Sequence, residues 1–298
     1  MQTERHANFI RSLVECGGPA PKDYDAFSGW LQLVASEIEA GTLTHEQFDG
    51  LLSQYEKVFD IRTMQGFARH KPHGYAGDFE IIDRIYRAHT APDPSLANWD
   101  RYFHAQHAPK AVRNRKNYFI DLVSAAERLH RNRTFHVLNL GSGPARDLYE
   151  YISANAQTRG LFTCVEQDPR AIDYGRQLCH AYLHRIEFRH ANVFRFRTNQ
   201  RYELVWSAGL FDYLSDKAFR ALLRRSFDRV GDGGQLVIGN FAPDNPTKNY
   251  MELIGHWQLT YRSADQLVTL ARECGISSST IDVRQEPEGV NLFLHISK

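Results

Sequence analysis

The chain lacks an excess of charge of either sign and lacks any long apolar run. Its 298 residues include 36 lysines and arginines against 35 aspartates and glutamates, a formal net charge of +1. A general nucleic-acid binder is expected to carry a basic surplus, and none is present here. A membrane span needs a run of about 18 apolar residues, and the sequence contains no such run. We therefore expect neither nucleic acid nor membrane as a partner.

Secretion and redox signals are also scarce. The first residues are polar and lack the apolar core of a signal peptide. The four cysteines are scattered without CxxC spacing: Cys16, Cys164, Cys179 and Cys274. This usage predicts neither disulfides nor a cysteine-ligated metal, and it favours a cytoplasmic location. The 14 histidines include pairs three residues apart but offer no third or fourth ligand at a diagnostic spacing, so no metal is predicted.

The most informative stretch is an apolar strand that runs into glycines, Val137-Leu138-Asn139-Leu140-Gly141-Ser142-Gly143. Such a turn lets the backbone approach a ligand closely. The next apolar strand ends in Glu166, where a carboxylate suits both hydroxyls of a ribose, so the pair indicates an adenosine-containing cofactor. A dinucleotide fingerprint requires a small residue where this chain has Arg146. Two alternatives stay open: glycines that only turn the chain, and a Glu166 that only caps a helix.

The N-terminal part of the chain, residues 1–130, has helical apolar periodicity. Thr44 with Gln47 three residues later predicts a capped helix start, and Asp78 predicts another. A single long amphipathic helix is predicted from about Leu96 to Leu129. We expect this part to form a helical cap or lid. Its first segment carries no motif, and covering the site and forming a homodimer are both open roles for it.

From residue 131 to residue 298, strands alternate with helices. The predicted strands are 135–140, 161–166, 186–190, 202–207, 234–239, 279–285 and 290–297. The last two are joined by a tight turn and must therefore pair antiparallel. Together with the glycine turn, this layout resembles motif I and the sheet of the class I S-adenosylmethionine-dependent methyltransferases. The resemblance implies an α/β, Rossmann-like, seven-stranded sheet with an antiparallel C-terminal hairpin, and S-adenosylmethionine as the cofactor.

Cofactor contacts are expected after the first four predicted strands. The expected cofactor-binding residues are Gly141, Ser142, Gly143, Pro144, Glu166, Gln167, Asn192, Val193 and Gly209. Asn192 follows the third strand, where its amide can pair with an adenine edge, and a plain turn residue explains it nearly as well. Asp168 instead predicts the cap of the helix that opens at Pro169.

The segment after the fourth strand reads Ser207-Ala208-Gly209-Leu210-Phe211-Asp212-Tyr213-Leu214. Ligands in such sheets lie at the carboxyl ends of the strands. Asp212 and Tyr213 are therefore catalytic candidates together with Tyr75, although a loop with Phe211 in the core explains the segment equally well. The Asn/Asp-Pro-Pro-aromatic signature of amino-directed nucleic-acid methyltransferases is absent, which counts against DNA as the substrate.

Five pieces in order resemble a family of bacterial methyltransferases that make the extracellular factor 3-hydroxypalmitic acid methyl ester, a quorum-sensing signal. The pieces span roughly residues 60–298 and are His73–Glu80, Ala111–Arg115, Leu138–Arg146, Gly209–Leu214 and Trp257–Arg262. The resemblance implies a class I fold behind a helical N-terminal segment and S-adenosylmethionine as the cofactor. His256 stands where the family is expected to have an aspartate before Trp257.

Five residues of these pieces are candidates for binding the substrate. Tyr75 lies in a glycine-rich loop that predicts a lid. Arg113 and Arg115 offer planar forks suited to a carboxylate, and a solvated or salt-bridged role is an equal alternative. Tyr261 and Arg262 follow the fifth strand, where acceptor-binding insertions occur in this fold.

These observations predict a cytoplasmic S-adenosylmethionine-dependent methyltransferase that acts on a small molecule. We expect the acceptor to be an oxygen, either the carboxylate or the hydroxyl of a fatty-acid-like or specialised metabolite. A carboxylate is already a nucleophile and needs alignment and desolvation more than a base. Two alternatives stay open: an N- or C-methyltransferase of a specialised metabolite, and a non-catalytic regulator that binds S-adenosylmethionine.

Overall fold

A computed structural model describes residues 2–298 and divides into two compact units. The helical unit runs to Lys110 and includes Pro246–Gln258, and the sheet unit comprises Ala111–Asn245 and Leu259–Lys298. This division differs from the predicted boundary at residue 130. Its physical reason is that the helix across residues 111–129 contributes apolar side chains to the core of the sheet unit.

The helical unit is built from short helices and turns. Its elements are α1 (Gln2–Glu15), α2 (Tyr24–Glu39), α3 (His45–Leu52), α4 (Met64–His70), α5 (Phe79–Tyr86), α6 (Ala97–Ala105), the start of α7 (His107–Leu129), the 3-10 turns Pro21–Asp23 and Glu56–Phe59, and the π-helix Tyr250–Ile254. Both predicted caps are confirmed. Thr44 and Gln47 form a reciprocal capping box at the start of α3. Asp78 accepts the first free N–H groups of α5, 2.9 Å from the N–H nitrogens of Glu80 and Ile81.

The prediction of one long helix from Leu96 to Leu129 was wrong. Helix α6 ends at Ala105, Gln106 is extended at φ −71° and ψ 153°, and α7 begins at His107. Pro109 explains the break because a proline inside a helix lacks the N–H and clashes with the carbonyl four residues earlier. In the first turn of α7 that N–H has no helical partner in any case.

Aromatic packing explains why residues 246–258 belong to the helical unit. The Tyr250 ring lies 5.1 Å from Tyr102 and 6.3 Å from Phe27, and the Phe27 ring lies 6.0 Å from Trp99. The Tyr250 hydroxyl donates to the Gln65 side chain at 2.7 Å. This buried hydrogen bond and the ring contacts fasten a sequence-distant segment to the unit.

The sheet unit contains one seven-stranded sheet. Its elements are β1 (Phe135–Leu140), α8 (Arg146–Ala154), β2 (Gly160–Glu166), α9 (Pro169–Leu178), β3 (Ile186–His190), β4 (Tyr202–Ala208), α10 (Asp216–Asp228), β5 (Val230–Phe241), α11 (Ala264–Glu273), β6 (Ile281–Gln285), β7 (Asn291–Ser297) and the 3-10 turns His180–Tyr182, Phe211–Tyr213 and Ser278–Thr280. The strand order is β3-β2-β1-β4-β5-β7-β6. Strands β1 to β5 pair parallel, and β7 runs antiparallel to both β5 and β6. The predicted fold, including the closing hairpin, is confirmed.

Helices cover both faces of this sheet. Phe119 of α7, Leu148 of α8 and Ile172 of α9 belong to the core on one face. Phe219 of α10 and Leu270 of α11 belong to the core on the other face. Burial of both faces explains the near-continuous apolar runs of the central strands. The carboxyl ends of β1 to β5 share one edge, where the turns that carry the candidate site residues lie.

Candidate active site at the carboxyl ends of the strands

The turn after β1 has the predicted conformation. Gly141 and Gly143 have left-handed φ values of +66° and +53°, which glycine adopts without the penalty of a Cβ. The Gly141 N–H donates to the Val165 carbonyl at 2.9 Å, which fixes the turn to β2. Ser142 is half-buried and Pro144 is buried in the same turn. The backbone here is therefore shaped for close approach, as the sequence analysis expected.

The Glu166 carboxylate joins two turns. One oxygen accepts the Gly143 N–H at 2.8 Å, and the other accepts the N–H groups of Gln167 at 2.6 Å and Asp168 at 2.9 Å. A carboxylate has roughly four acceptor positions, and these bonds use three of them. Glu166 thus has a structural role that the sequence analysis had given only as an alternative, and its contact with a ribose stays a prediction.

Two predicted cofactor residues meet at the ends of β2 and β3. The Asn192 side-chain N–H donates to the Gln167 side-chain oxygen at 2.7 Å, and the Asn192 oxygen accepts the Phe194 N–H at 2.9 Å. Val193 is buried beside them. The bond to Phe194 therefore stabilises the turn that contains Asn192, and the amide lies after β3, at the carboxyl edge of the sheet, as predicted. Asp168 accepts the N–H two residues later and caps α9, as predicted.

One arginine interrupts the buried stripe of α7. Ala111, Arg115 and Phe119 are spaced four residues apart, and all three are buried, with Arg115 only 5% exposed. At the end of β4, Gly209 has φ +91°, and a Cβ there would lie 2.8 Å from a terminal guanidinium nitrogen of Arg115. The guanidinium thus lies directly against the backbone of Gly209. Arg113 is only half-buried, and burial lowers its pKa while the charge of Glu288 raises it.

Two buried carboxyl groups accompany Arg115. Burial raises the pKa of Asp212 to about 6, against the opposing effects of the Phe241 N–H and the nearby arginines. Burial likewise raises the pKa of Asp147 to about 6, against its hydrogen bond to the Leu148 N–H and the charge of Arg115. Asp212 is among the residues predicted from the sequence, whereas Asp147 is not. The sequence feature that could have indicated Asp147 is its position beside the apolar Leu148 in the first turn of α8.

Asp212 also fastens the loop after β4. Its side chain accepts the Phe241 N–H at 2.6 Å, and its carbonyl accepts the Thr260 N–H at 2.7 Å. These bonds connect the end of β4 to the end of β5 and to the segment before Tyr261. The predicted catalytic role of Asp212 stays a prediction, and its observed contacts are those of a positioning residue.

Arg262 uses all five of its N–H donors inside the sheet unit. They reach the side chains of Asp216 and Asn240 and the carbonyls of Phe211 and Leu214, at 2.6–3.2 Å. The side chain is 2% exposed. This arrangement leaves no guanidinium N–H for a substrate. The geometry therefore supports a structural role for Arg262, which holds the loop after β4, in place of the predicted substrate contact.

The tyrosine candidates are distributed over both units. Tyr213 is 40% exposed and Tyr261 half-buried in the sheet unit. Tyr75 is 39% exposed in the helical unit, in a turn whose Gly74 and Gly77 have φ values of +88° and +65°. The irregular loop expected around Tyr75 is therefore present. Its function as a lid and the tyrosines' contacts with an acceptor stay predictions.

Within residues 2–298, no group of three or more His, Cys, Asp or Glu side chains is placed to hold a metal ion. No helix described here combines the length and the apolar character needed to cross a membrane.

Residues 137–234 match a family model described as a methyltransferase domain. The matched range contains the glycine turn, Glu166, Asn192 and Gly209, and thus most of the edge described above. A search of curated proteins gives no match.

Solved structures share the fold at low sequence identity. A possible exported protein from Bordetella parapertussis matches with TM-score 0.60 and 19% identity over 74% of this chain and 79% of that chain. The magnesium protoporphyrin IX methyltransferase ChlM from Synechocystis PCC 6803, with bound S-adenosylhomocysteine, matches with TM-score 0.53 and 12% identity over 79% and 99%. The S-adenosylmethionine-dependent methyltransferase SibL matches with TM-score 0.50 and 16% identity over 89% and 77%.

The matched range covers β1 to the start of β5, together with the turns that follow the first four strands. The seven-stranded sheet with its antiparallel β7 is the sheet predicted from the sequence. Residues 137–234 therefore match a methyltransferase domain, and they lie in a sheet unit that has the predicted class I methyltransferase fold.

Proposed function

We propose that this protein methylates an oxygen atom of a small-molecule acceptor, and that the oxygen belongs to a carboxylate. When bound, S-adenosylmethionine supplies a methyl group on a positively charged sulfur. The observation that carries the cofactor part of the proposal is the Glu166 carboxylate, which is held 2.8 Å from the Gly143 nitrogen at the end of β1. A fixed carboxylate beside a left-handed glycine turn suits the adenosine part of this cofactor.

The residues at this edge fit the adenosine end of the cofactor. The remaining acceptor position of the Glu166 carboxylate can accept a ribose hydroxyl, and Gln167 and Asn192 carry amides at the place proposed for adenine. The main chain at Gly141 to Gly143 gives close approach, because neither glycine brings a Cβ. In this proposal Gly209 does the same at the end of β4.

Two observations support a small acceptor over a nucleic acid. The formal net charge of +1 provides no basic excess for binding a polyanion. The ChlM structure, which shares the fold, belongs to an enzyme that by its name methylates a small molecule, magnesium protoporphyrin IX. We extend that class of acceptor to this chain as part of the proposal.

The choice of a carboxylate rests on the surroundings of Asp212, the buried acid among the catalytic candidates. Asp212 is engaged by the Phe241 N–H and is flanked by Arg115 and Arg262, so it is poorly placed to accept a proton from an acceptor. A carboxylate acceptor requires no such proton transfer, since it is already a nucleophile. The family resemblance described above favours a hydroxy fatty acid among the possible carboxylates.

Binding is tested first, by calorimetry with S-adenosylhomocysteine. We expect Glu166→Ala to weaken binding about 10- to 100-fold, because charge-assisted hydrogen bonds contribute about 1.5–3 kcal/mol each. Glu187→Ala is the matched control, since Glu187 is an exposed carboxylate on the neighbouring strand β3 that pairs with Arg189. Absence of binding by the unmodified protein would contradict the proposed cofactor site.

Transfer is tested with methyl-labelled cofactor and a panel of carboxylic acids, phenols and amines. A methyl ester releases labelled methanol in mild alkali, whereas ethers and methylated amines or carbons keep the label. Release from a hydroxy fatty acid product supports the proposal. Alkali-stable label identifies a different acceptor atom, and tight binding without transfer to any compound identifies a regulator.

A further inference from the structure

The strand order arranges the proposed cofactor contacts in a row. Neighbouring strands follow the order β3, β2, β1, β4, so Asn192, Glu166, Gly141 and Gly209 succeed one another along one edge of the sheet. The proposed function assigns adenine to the first position and ribose to the second. An extended cofactor then brings its amino-acid end to the ends of β1 and β4. The inference below rests on that assignment.

Arg115 is the basic group at this place. Its guanidinium lies against the Gly209 backbone, where a Cβ would be 2.8 Å from one terminal nitrogen and 3.3 Å from the other. The side chain is 95% buried, since only 5% of it is exposed. A buried guanidinium is costly unless anionic partners compensate it. Its planar fork matches the geometry of a carboxylate.

The groups around Arg115 have the charges that complement an amino acid. Asp147 and Asp212 are both buried and both within the electrostatic influence of Arg115. When both carboxyl groups are ionised, the three side chains carry one more negative than positive charge. The amino-acid end of S-adenosylmethionine has one carboxylate and one ammonium group, next to a positive sulfur. The guanidinium suits that carboxylate, and the two acids suit the two positive centres.

A buried acceptor without a protein partner lies along the same edge. Among the described residues, the Asn291 side-chain oxygen receives no hydrogen bond, although Asn291 is 0% exposed. Its amide nitrogen lies 3.1 Å from the position of a Cβ on Gly239, and that position lies 3.1 Å from the Ala208 Cβ. Buried polar atoms are nearly always hydrogen-bonded, so this oxygen is an exception at the place where the end of β5 pairs with the start of β7.

We propose that Arg115 binds the carboxylate of the amino-acid end of S-adenosylmethionine, and that it does not bind the methyl acceptor. This assignment separates Arg115 from Arg113, with which the sequence analysis had grouped it as a substrate residue. Arg115 lies in the buried stripe of α7 beside Gly209, and Arg113 lies outside that stripe.

The test compares two ligands that differ only in this carboxylate. Calorimetry measures binding of S-adenosylhomocysteine and of its decarboxylated analogue. The unmodified protein is expected to prefer the carboxylate form about 10- to 100-fold. Arg115→Met should abolish the preference and leave affinity for the decarboxylated analogue nearly unchanged. Arg128→Met, an exposed arginine on the same helix, should keep the full preference.

Each other outcome is decisive. Failure of the unmodified protein to bind S-adenosylhomocysteine overturns the proposed function and this inference with it. Binding without preference between the two ligands overturns only the inference. The same holds if Arg115→Met keeps the preference and instead raises the KM of the acceptor, or if it weakens both ligands equally. Should Arg115→Met fail to fold, the unmodified protein's own preference and the Arg115→Lys variant decide, since lysine keeps the charge but not the fork.

Discussion

Gly209→Ala is the perturbation that most directly examines the edge of the sheet around Arg115. Gly209 has φ +91°, so any other residue there is strained by about 1–2 kcal/mol. The new methyl group would lie 2.8 Å from a terminal nitrogen of Arg115 and 3.3 Å from the guanidinium carbon. Ordinary contact is about 3.4 Å or more, so the guanidinium must move by about half an ångström.

A matched glycine separates these two effects. Gly275 has φ +82° and no atom within 4 Å of its Cβ position, so Gly275→Ala brings backbone strain without a collision. Both variants should lower the melting temperature by a similar few degrees, since about 1 kcal/mol corresponds to roughly 2–4 °C in a unit of this size. Only Gly209→Ala should displace Arg115. We expect it alone to weaken binding of S-adenosylhomocysteine, by about 10-fold, which equals about 1.4 kcal/mol.

Thermal denaturation and calorimetry on the two variants provide the comparison. The reasoning is refuted if Gly209→Ala binds S-adenosylhomocysteine as tightly as the unmodified protein does. It is also refuted if Gly275→Ala weakens binding to the same extent, because then the strain and not the position of Arg115 would be responsible.

Two further predictions concern stability. Burial lowers the pKa of His295 from 6.5 to about 4, and its ring accepts or donates a 2.6 Å bond with Tyr118. Protonation below pH 6.5 therefore favours the unfolded chain, and this contribution to stability falls by up to about 3 kcal/mol between pH 6.5 and pH 4. The His295→Gln variant should lose less stability than the unmodified protein between pH 6.5 and pH 4. Denaturation at a series of pH values measures this, and equal losses of stability in the two proteins would contradict the prediction. Arg262→Met should lower the free energy of unfolding by about 3–5 kcal/mol, because the buried carbonyls of Phe211 and Leu214 would lose their hydrogen-bond donors. Asp216 is largely exposed, so water can replace its lost partner. A melting temperature within one degree of the unmodified protein would show that these bonds contribute little.

The strands and the closing hairpin could be predicted because their signals are local. The apolar runs of β1 and β3 end where the structure ends them, and the tight turn before β7 allowed only antiparallel pairing. The break at Gln106 also had a local signal, Pro109, which the predicted long helix overlooked. No local signal assigns residues 246–258 to the helical unit, because that assignment depends on contacts of Tyr250 with residues far away in sequence.

The candidate site divides in the same way. The left-handed glycine turn follows from residue type alone, since glycine tolerates those φ values. The sequence could have predicted that Arg115 is more buried than Arg113, because Arg115 lies four residues from both Ala111 and Phe119 on one face of the helix. The structural role of Arg262 could not be predicted from the sequence, because its hydrogen-bond acceptors come from separate loops and strands that meet only in the folded chain.

The bonds of Glu166 have a consequence for how this sequence can change over time. A side chain that holds the turns after β1 and β2 together is under selection for stability as well as for any ligand. A descendant that no longer transferred methyl groups would still keep Glu166 and its glycine turn, because losing them would weaken the fold. Decay of the activity would therefore show first at positions whose contacts serve a ligand alone, and not at Glu166 or at the glycine turn.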